Sequence, residues 1–282
     1  MSIVAIKNPY TLILRHDSYA SSPREEDCFG KMICFHPRYN LGDKHEYSDP
    51  EGFLSDLVRE KYVRAQEIID YVRSGQSETV KLEYNRSARW WNVCSYNQHT
   101  KNWSTECSFD PPLVDQKDFI ADSLIDVMPL QDLMRIAQKH YCILPIYLYD
   151  HSGSTINTTG FSCPWDSSQV GWIYASHIEI SNEYNTRFTD RLAEKAIARL
   201  KGEVESYDHY LRGDCYRYTL YQDNEEIDSC GGFIGPPDEL QEAIESYLPD
   251  EAKGMMNNLT YRYDEPDIED ILQEQEDELE VG

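Results

Sequence analysis

The sequence predicts an α+β fold, a mixed, mainly antiparallel sheet with about four packed helices. Three observations carry that expectation. Apolar residues recur at three- and four-residue steps from Phe53 to Val72 and again from Leu192 to Leu211, the period of a helix with one buried face. Short runs rich in β-branched and aromatic residues lie between them, including Cys142 to Tyr149 and Val170 to Ala175. Alternating segments also flank Asp223-Asn224, a pair suited to a tight hairpin turn. The chain has 282 residues, 40% hydrophobic and 12% aromatic, which suffices for a full core in one large domain or two small ones.

Taken in order, the first 47 residues read as irregular and β-rich, with strands at Thr11 to Arg15 and Lys31 to Phe35. Asp49-Pro50 opens a helix, with Asp as N-cap and Pro at the first helical position, and Gly75 closes it. Thr79 to Tyr84 and Trp90 to Tyr96 read as paired strands of a ribbon that ends at Asp110-Pro111-Pro112. A helix from about Leu130 to His140 leads into the apolar strand 142–149, where Pro145 marks a bulge or an edge. A polar loop, Asp150 to Ser168, precedes the next strand. The helix from Asp190 stops at Gly213, the hairpin Cys215 to Ile234 follows, and Pro237 starts a short helix to Tyr247. Composition thus divides the chain into a core of 1–75 and 128–248, a Trp-rich ribbon insertion at 76–127, and an acidic tail at 249–282, partly ordered at most.

Charge narrows the function. The chain carries 51 acidic and 26 basic side chains, a net charge of −25, and Asp238 to Gly282 holds 16 of those acids against 2 bases. Such a polyanion is repelled by nucleic acid and anionic lipid, so neither is expected as a direct partner. No run approaches the roughly 20 apolar residues of a membrane span, and the opening residues lack the order of a secretory signal. The eight cysteines are spread along the chain without a CxxC pair, as expected of reduced thiols in a cytoplasmic protein. Nucleotide-binding glycine motifs, GxSxG and calcium loops are absent from the sequence, and no cofactor is expected.

Two places offer chemistry. If the 150–168 loop folds back, Cys163 becomes a nucleophile, His151 its base, and Asp150 or Asp166 the orienting carboxylate. The same residue types also serve turn hydrogen bonding. A metal reading recruits His36, Asp43, His45 and His151, with Cys163 as a further candidate, but His36 and His45 lack the one-turn spacing of a helical zinc motif. A third feature offers contact instead of chemistry. Trp90, Trp91 and Trp103 lie in the ribbon with Lys81, Arg86, Arg89 and Lys101, either capping the core or forming a docking face.

The segments Ser22-Pro-Arg-Glu25, His36-Pro-Arg-Tyr-Asn-Leu-Gly-Asp43, Tyr147-Leu-Tyr-Asp-His-Ser-Gly153, Asn157-Thr-Thr-Gly-Phe-Ser-Cys-Pro-Trp-Asp166 and Val170-Gly-Trp-Ile-Tyr174 together resemble a family of hypothetical proteins carried by bacteriophages and conjugative elements. The resemblance continues through Glu203-Val-Glu-Ser-Tyr-Asp208 and Asp228-Ser-Cys-Gly-Gly-Phe233, and it leaves the ribbon and the tail as additions to the shorter relatives. It implies a setting, a phage or mobile-element accessory protein in a bacterial cytoplasm, and not a reaction. Duplex DNA carries about one charge per 1.7 Å of axis, so 25 negative charges match roughly 40 Å of duplex. The expected function is therefore non-enzymatic inhibition of a host defence nuclease or guide complex, of restriction or CRISPR type, through an acidic DNA-like surface. Its contact residues would be the three tryptophans and the tail carboxylates Asp264, Glu265, Asp267, Glu269, Asp270, Glu274, Glu276, Asp277 and Glu278. The alternatives are a structural or regulatory phage protein, compatible with a homo-oligomer, and a hydrolase-like enzyme using the His151–Cys163 loop.

Overall fold

The computed structural model describes residues 2–60, 62–110, 116–151, 153–163, 165–262 and 271. In chain order the elements are β1 (Ser2–Lys7), β2 (Tyr10–His16), β3 (Lys31–Cys34), α1 (Pro50–Arg59), α2 (Ala65–Arg73), β4 (Val80–Asn85), β5 (Trp90–Asn97) and β6 (Asn102–Phe109). There follow α3 (Lys117–Ile125), α4 (Leu130–Ala137), β7 (Tyr141–Asp150), β8 (Ser154–Asn157), β9 (Ser167–Ser176), α5 (His177–Glu183) and α6 (Asp190–Arg212). The last are β10 (Cys215–Gln222), β11 (Glu225–Ile234), α7 (Gln241–Glu245) and β12 (Thr260–Arg262). The strands form three antiparallel sheets beside the helices, an α+β fold.

Packing groups the chain differently from composition. Met1–Cys28, Tyr147–Gln169 and Lys201–Gly282 form one compact unit, and Phe29–Ile146 with Val170–Leu200 form the other. In the first unit a five-stranded sheet runs in the order β11-β10-β2-β1-β12. Strand alternation sends Ile3, Ala5, Leu12, Leu14, Tyr218 and Leu220 to one face, where they pack on Ile244, Leu248, Ala252, Met255 and Met256. The opposite face places Val4 and Ile13 against Ile271, which is 0% exposed. Asp223 and Asn224 both adopt left-handed backbone, φ 48° and 73°, as the tight β10–β11 turn requires.

In the second unit α1 to α4 and the inner face of the β4-β5-β6 sheet share one core, with Phe53, Leu57, Ile68, Val93, Phe109, Ile120 and Leu133 among its residues. The inner face of strands 80–109 of the expected insertion is therefore packed into the same core as the helices. β3 pairs with β9, and the close approach depends on Gly171, where a Cβ would lie 2.0 Å from the Ile33 carbonyl oxygen. β7 and β9 neighbour one another in the sheet order β3-β9-β7-β8.

Several elements depart from the sequence expectation. The single helix expected from residue 50 to residue 72 is two, α1 and α2, although Asp49 caps it as expected by accepting from the Gly52 N–H at 2.7 Å. Residues 60–64 contain no Pro or Gly and the apolar period continues through them, so no local breaker accounts for the separation of the halves. The polar loop contains β8, which Asp208 secures by accepting from the Thr155 hydroxyl at 2.6 Å and the Ile156 N–H at 2.7 Å. α5 begins at a capping box between Ser176 and Glu179, a signal present in the sequence and not used. In the expected tail, 250–252 and 255–258 form 3-10 turns, and β12 pairs with β1.

Candidate functional site

The 150–168 segment is built largely by its own turns. Asn157 accepts from the Thr159 and Gly160 N–H groups at 3.1 and 2.7 Å, and Gly160 takes the left-handed φ of 84° that this turn needs. The Tyr149 ring neighbours both His151 (6.2 Å) and Phe161 (5.5 Å). The Asp150 N–H donates to the Asp166 carbonyl at 3.0 Å, and the His151 N–H to that of Gly153 at 3.3 Å. The Cys163 thiol donates to the Asp166 carboxylate at 3.5 Å, and the Ser167 hydroxyl to the Cys163 carbonyl at 2.5 Å. Cys163 and Asp166 are thus brought together, with a carboxylate where the catalytic reading puts an imidazole.

At the second place, one loop surrounds a cavity of roughly 640 Å³ lined by His36, Tyr39, Asp43, His45 and Tyr47. Its polar groups hold the loop. His36 Nδ1 accepts from the Arg38 and Tyr39 N–H groups at 3.3 and 3.2 Å while the ring stacks on Tyr39. Asp43 accepts from the Met32 N–H at 2.7 Å, and His45 Nε2 donates to the Cys34 carbonyl at 2.9 Å. His45 Nδ1 is buried without a hydrogen-bond partner. Among the described residues no group of three or more His, Cys, Asp or Glu side chains is arranged to hold a metal ion.

The motifs of the resemblance also pair with one another. Arg24, whose side chain is 4% exposed, binds Glu203 at 3.1 Å, joining two of the quoted segments, and Asp208 of the second of them holds Thr155 and Ile156 of β8, between two others. Asp17 accepts from the Gly232 N–H at 2.9 Å, and a Cβ at Gly231 would collide with the same carboxylate. These contacts give the motif residues work in the fold.

The three tryptophans separate. Trp91 lies on the inner side of its sheet beside Tyr84 (5.2 Å) and under the Arg73 guanidinium. Trp90 and Trp103 lie on the outer face and are 40% and 42% exposed. The tail residues Asp264, Glu265, Asp267, Glu269, Asp270, Glu274, Glu276, Asp277 and Glu278 lie outside the described residues. All eight cysteines are free, and burial pushes the Cys107, Cys142 and Cys215 thiols up from their ordinary range, which suits inert core groups.

Sequence reasoning missed two features. The first is a buried polar node, where Asp132 accepts from the Tyr71 hydroxyl at 2.9 Å and the Ser77 hydroxyl at 2.5 Å. The second is charge segregation. The described residues of the first unit hold 20 acidic and 8 basic side chains, those of the second 20 and 17, so most of their net charge belongs to one unit. Part of it is on ordered surface, since residues 218–252 contain ten Asp and Glu and no Lys, Arg or His. Asp223, Glu225, Glu226, Asp228, Asp238, Glu239, Glu242, Asp250 and Glu251 are all exposed. No protein-family model, curated protein or solved structure matches the chain. Among the described residues no helix is long and apolar enough to cross a membrane.

Proposed function

We propose that the chain is a non-enzymatic accessory protein of a phage or mobile element. In this reading it binds a nucleic-acid-targeting defence enzyme or guide complex of the host through an acidic surface that stands in for phosphate. The observation that carries the proposal is the segregation of charge. An acidic protein selected for solubility alone has no need to set 20 carboxylates against only 8 bases over the described residues of one unit while the other holds 20 against 17. The exposed carboxylates between Asp223 and Glu251 stand on the β10–β11 hairpin, α7 and the turns around it, and charges carried on folded backbone bind a basic groove with less ordering cost than a free tail.

The test is a charge-neutral variant of the ordered hairpin, Asp223→Asn with Glu225→Gln, Glu226→Gln and Asp228→Asn, compared with neutralised tail carboxylates. Capture of a nucleic-acid enzyme that weakens in the hairpin variant and loses its salt dependence supports the proposal. Capture unchanged in both variants refutes it.

A further inference from the structure

We propose that the outer face of the β4-β5-β6 sheet is a platform for single-stranded nucleic acid. This inference goes beyond the acidic-surface reading and does not depend on it. Repulsion calculated from the whole chain excludes such a ligand, but that charge belongs to the other unit. The ribbon from Val80 to Phe109 carries four basic side chains against two acidic ones. At physiological salt the Debye length is about 8 Å, so only charges close to the face act strongly on a bound strand.

The face is assigned by register and burial. Val80, Leu82, Val93, Cys107 and Phe109 point into the helical core, so strand alternation sends Lys81, Glu83, Trp90, Asn92, Tyr96 and Trp103 outward. Trp103 sits opposite Tyr96, six residues along β5 from Trp90. At about 3.3 Å per residue the two exposed rings are roughly 20 Å apart along the sheet. Each has cations at its end. Arg86 and Arg89 are exposed in the turn beside Trp90; at the other end Lys101 is exposed, while Lys81, whose Nζ lies 4.5 Å from the Trp103 ring centroid, is paired with Glu83 at 2.9 Å. Both hairpin turns are held by asparagine, Asn85 accepting from Ser87 and Ala88 and Asn97 from His99 and Thr100, so the two ends keep their shape. Glu106, one of the two acids, is engaged by the Ser95 and Ser104 hydroxyls at 2.6 Å each.

Rings that accept stacking, with cations beside them, match bases and phosphates. An acidic protein supplies carboxylates but no succession of planes. A duplex keeps its base faces stacked, so an unpaired strand is the fitting occupant.

The experiment is fluorescence anisotropy of a labelled 12-nucleotide oligo(U) or oligo(dT) titrated with the full chain at physiological salt. Trp90→Ala and Trp103→Ala should each weaken binding about fivefold or more, from the ~1–3 kcal/mol of a base–aromatic stack. Neutralising Arg86, Arg89 and Lys101 should flatten the salt dependence. Tyr19→Ala, which removes a 91% exposed aromatic elsewhere, should change nothing. Circular dichroism establishes that each variant is folded. The proposal is overturned if the folded wild type binds no oligonucleotide. Equal weakening by Tyr19→Ala, or displacement by polyglutamate as effective as by unlabelled oligonucleotide, also overturns it.

Discussion

Replacing Asp132 with alanine should destabilise the second unit far more than a surface carboxylate would. The Asp132 side chain is 5% exposed and receives the Tyr71 and Ser77 hydroxyls, while Ser77 in turn accepts from the Val80 N–H at 3.0 Å. One carboxylate therefore ties α2, the turn before β4, and α4 together. Each buried donor left unsatisfied costs about 1–3 kcal/mol. Arg135 also reaches Asp132 at 3.5 Å, but it is mostly exposed and adds roughly 0–1 kcal/mol. With some relaxation of Ser77 the sum is about 3–4 kcal/mol, or roughly 6–16 °C in Tm at about 2–4 °C per kcal/mol. Asp132→Asn keeps one acceptor and should fall between. Calorimetry on Asp132→Ala, Tyr71→Phe and the double variant checks this, because removing both partners should cost less than the sum of the singles. A Tm within 3 °C of wild type for Asp132→Ala, or strict additivity, would refute the reasoning.

Three further outcomes are expected. Gly171→Ala should prevent β3 from pairing with β9, because the Ile33 carbonyl cannot yield 1 Å or more without breaking the ladder; limited proteolysis and urea unfolding would report a stable variant as the contrary result. Ile271→Ala should cost about 2–4 kcal/mol by uncovering Val4 and Ile13, so a tail deletion that removes Ile271 tests stability as well as charge, and unchanged urea melting would contradict this. Burial, helped by nearby His140, holds the His177 imidazole down to about 4 from 6.5. The unfolded chain therefore takes up that proton first, and the stabilisation present above pH 6.5 is lost as pH falls through 4. His177→Gln should flatten the stability profile between those values, and a profile parallel to wild type would count against the assignment.

Much of the fold was legible because it rests on local signals. The Asp49 cap, the α6 stripe and the Asp223-Asn224 turn each state their structure within a few residues. What was missed depends on distant partners. Residues 60–64 break a helix that their sequence would continue, and β8 depends on Asp208, about fifty residues away. Asp132 reads as an ordinary helix-surface acid until Tyr71 and Ser77 arrive from another part of the chain. The site was legible as residue types but not as arrangement. The Cys163 loop, the His36–His45 loop and the three tryptophans are where the sequence put polar or aromatic groups. Pairing in space gave Cys163 a carboxylate, committed His36 and Asp43 to backbone groups, and turned Trp91 inward. The C-terminal share of the charge was legible, but the segregation of the whole unit was hidden because the first unit is assembled from three separated segments.

The central claim is that the acidic unit takes the place of nucleic acid on a protein partner. The most direct measurement is affinity capture of the tagged chain from bacterial lysate at low salt, with parallel elutions by duplex DNA, by uncharged polymer and by high salt, and identification of the released proteins. Release of a nuclease or guide complex by duplex DNA and by salt, but not by the uncharged polymer, is the expected result. A retained partner that DNA does not displace, or no retained nucleic-acid enzyme while the chain remains folded, would contradict it.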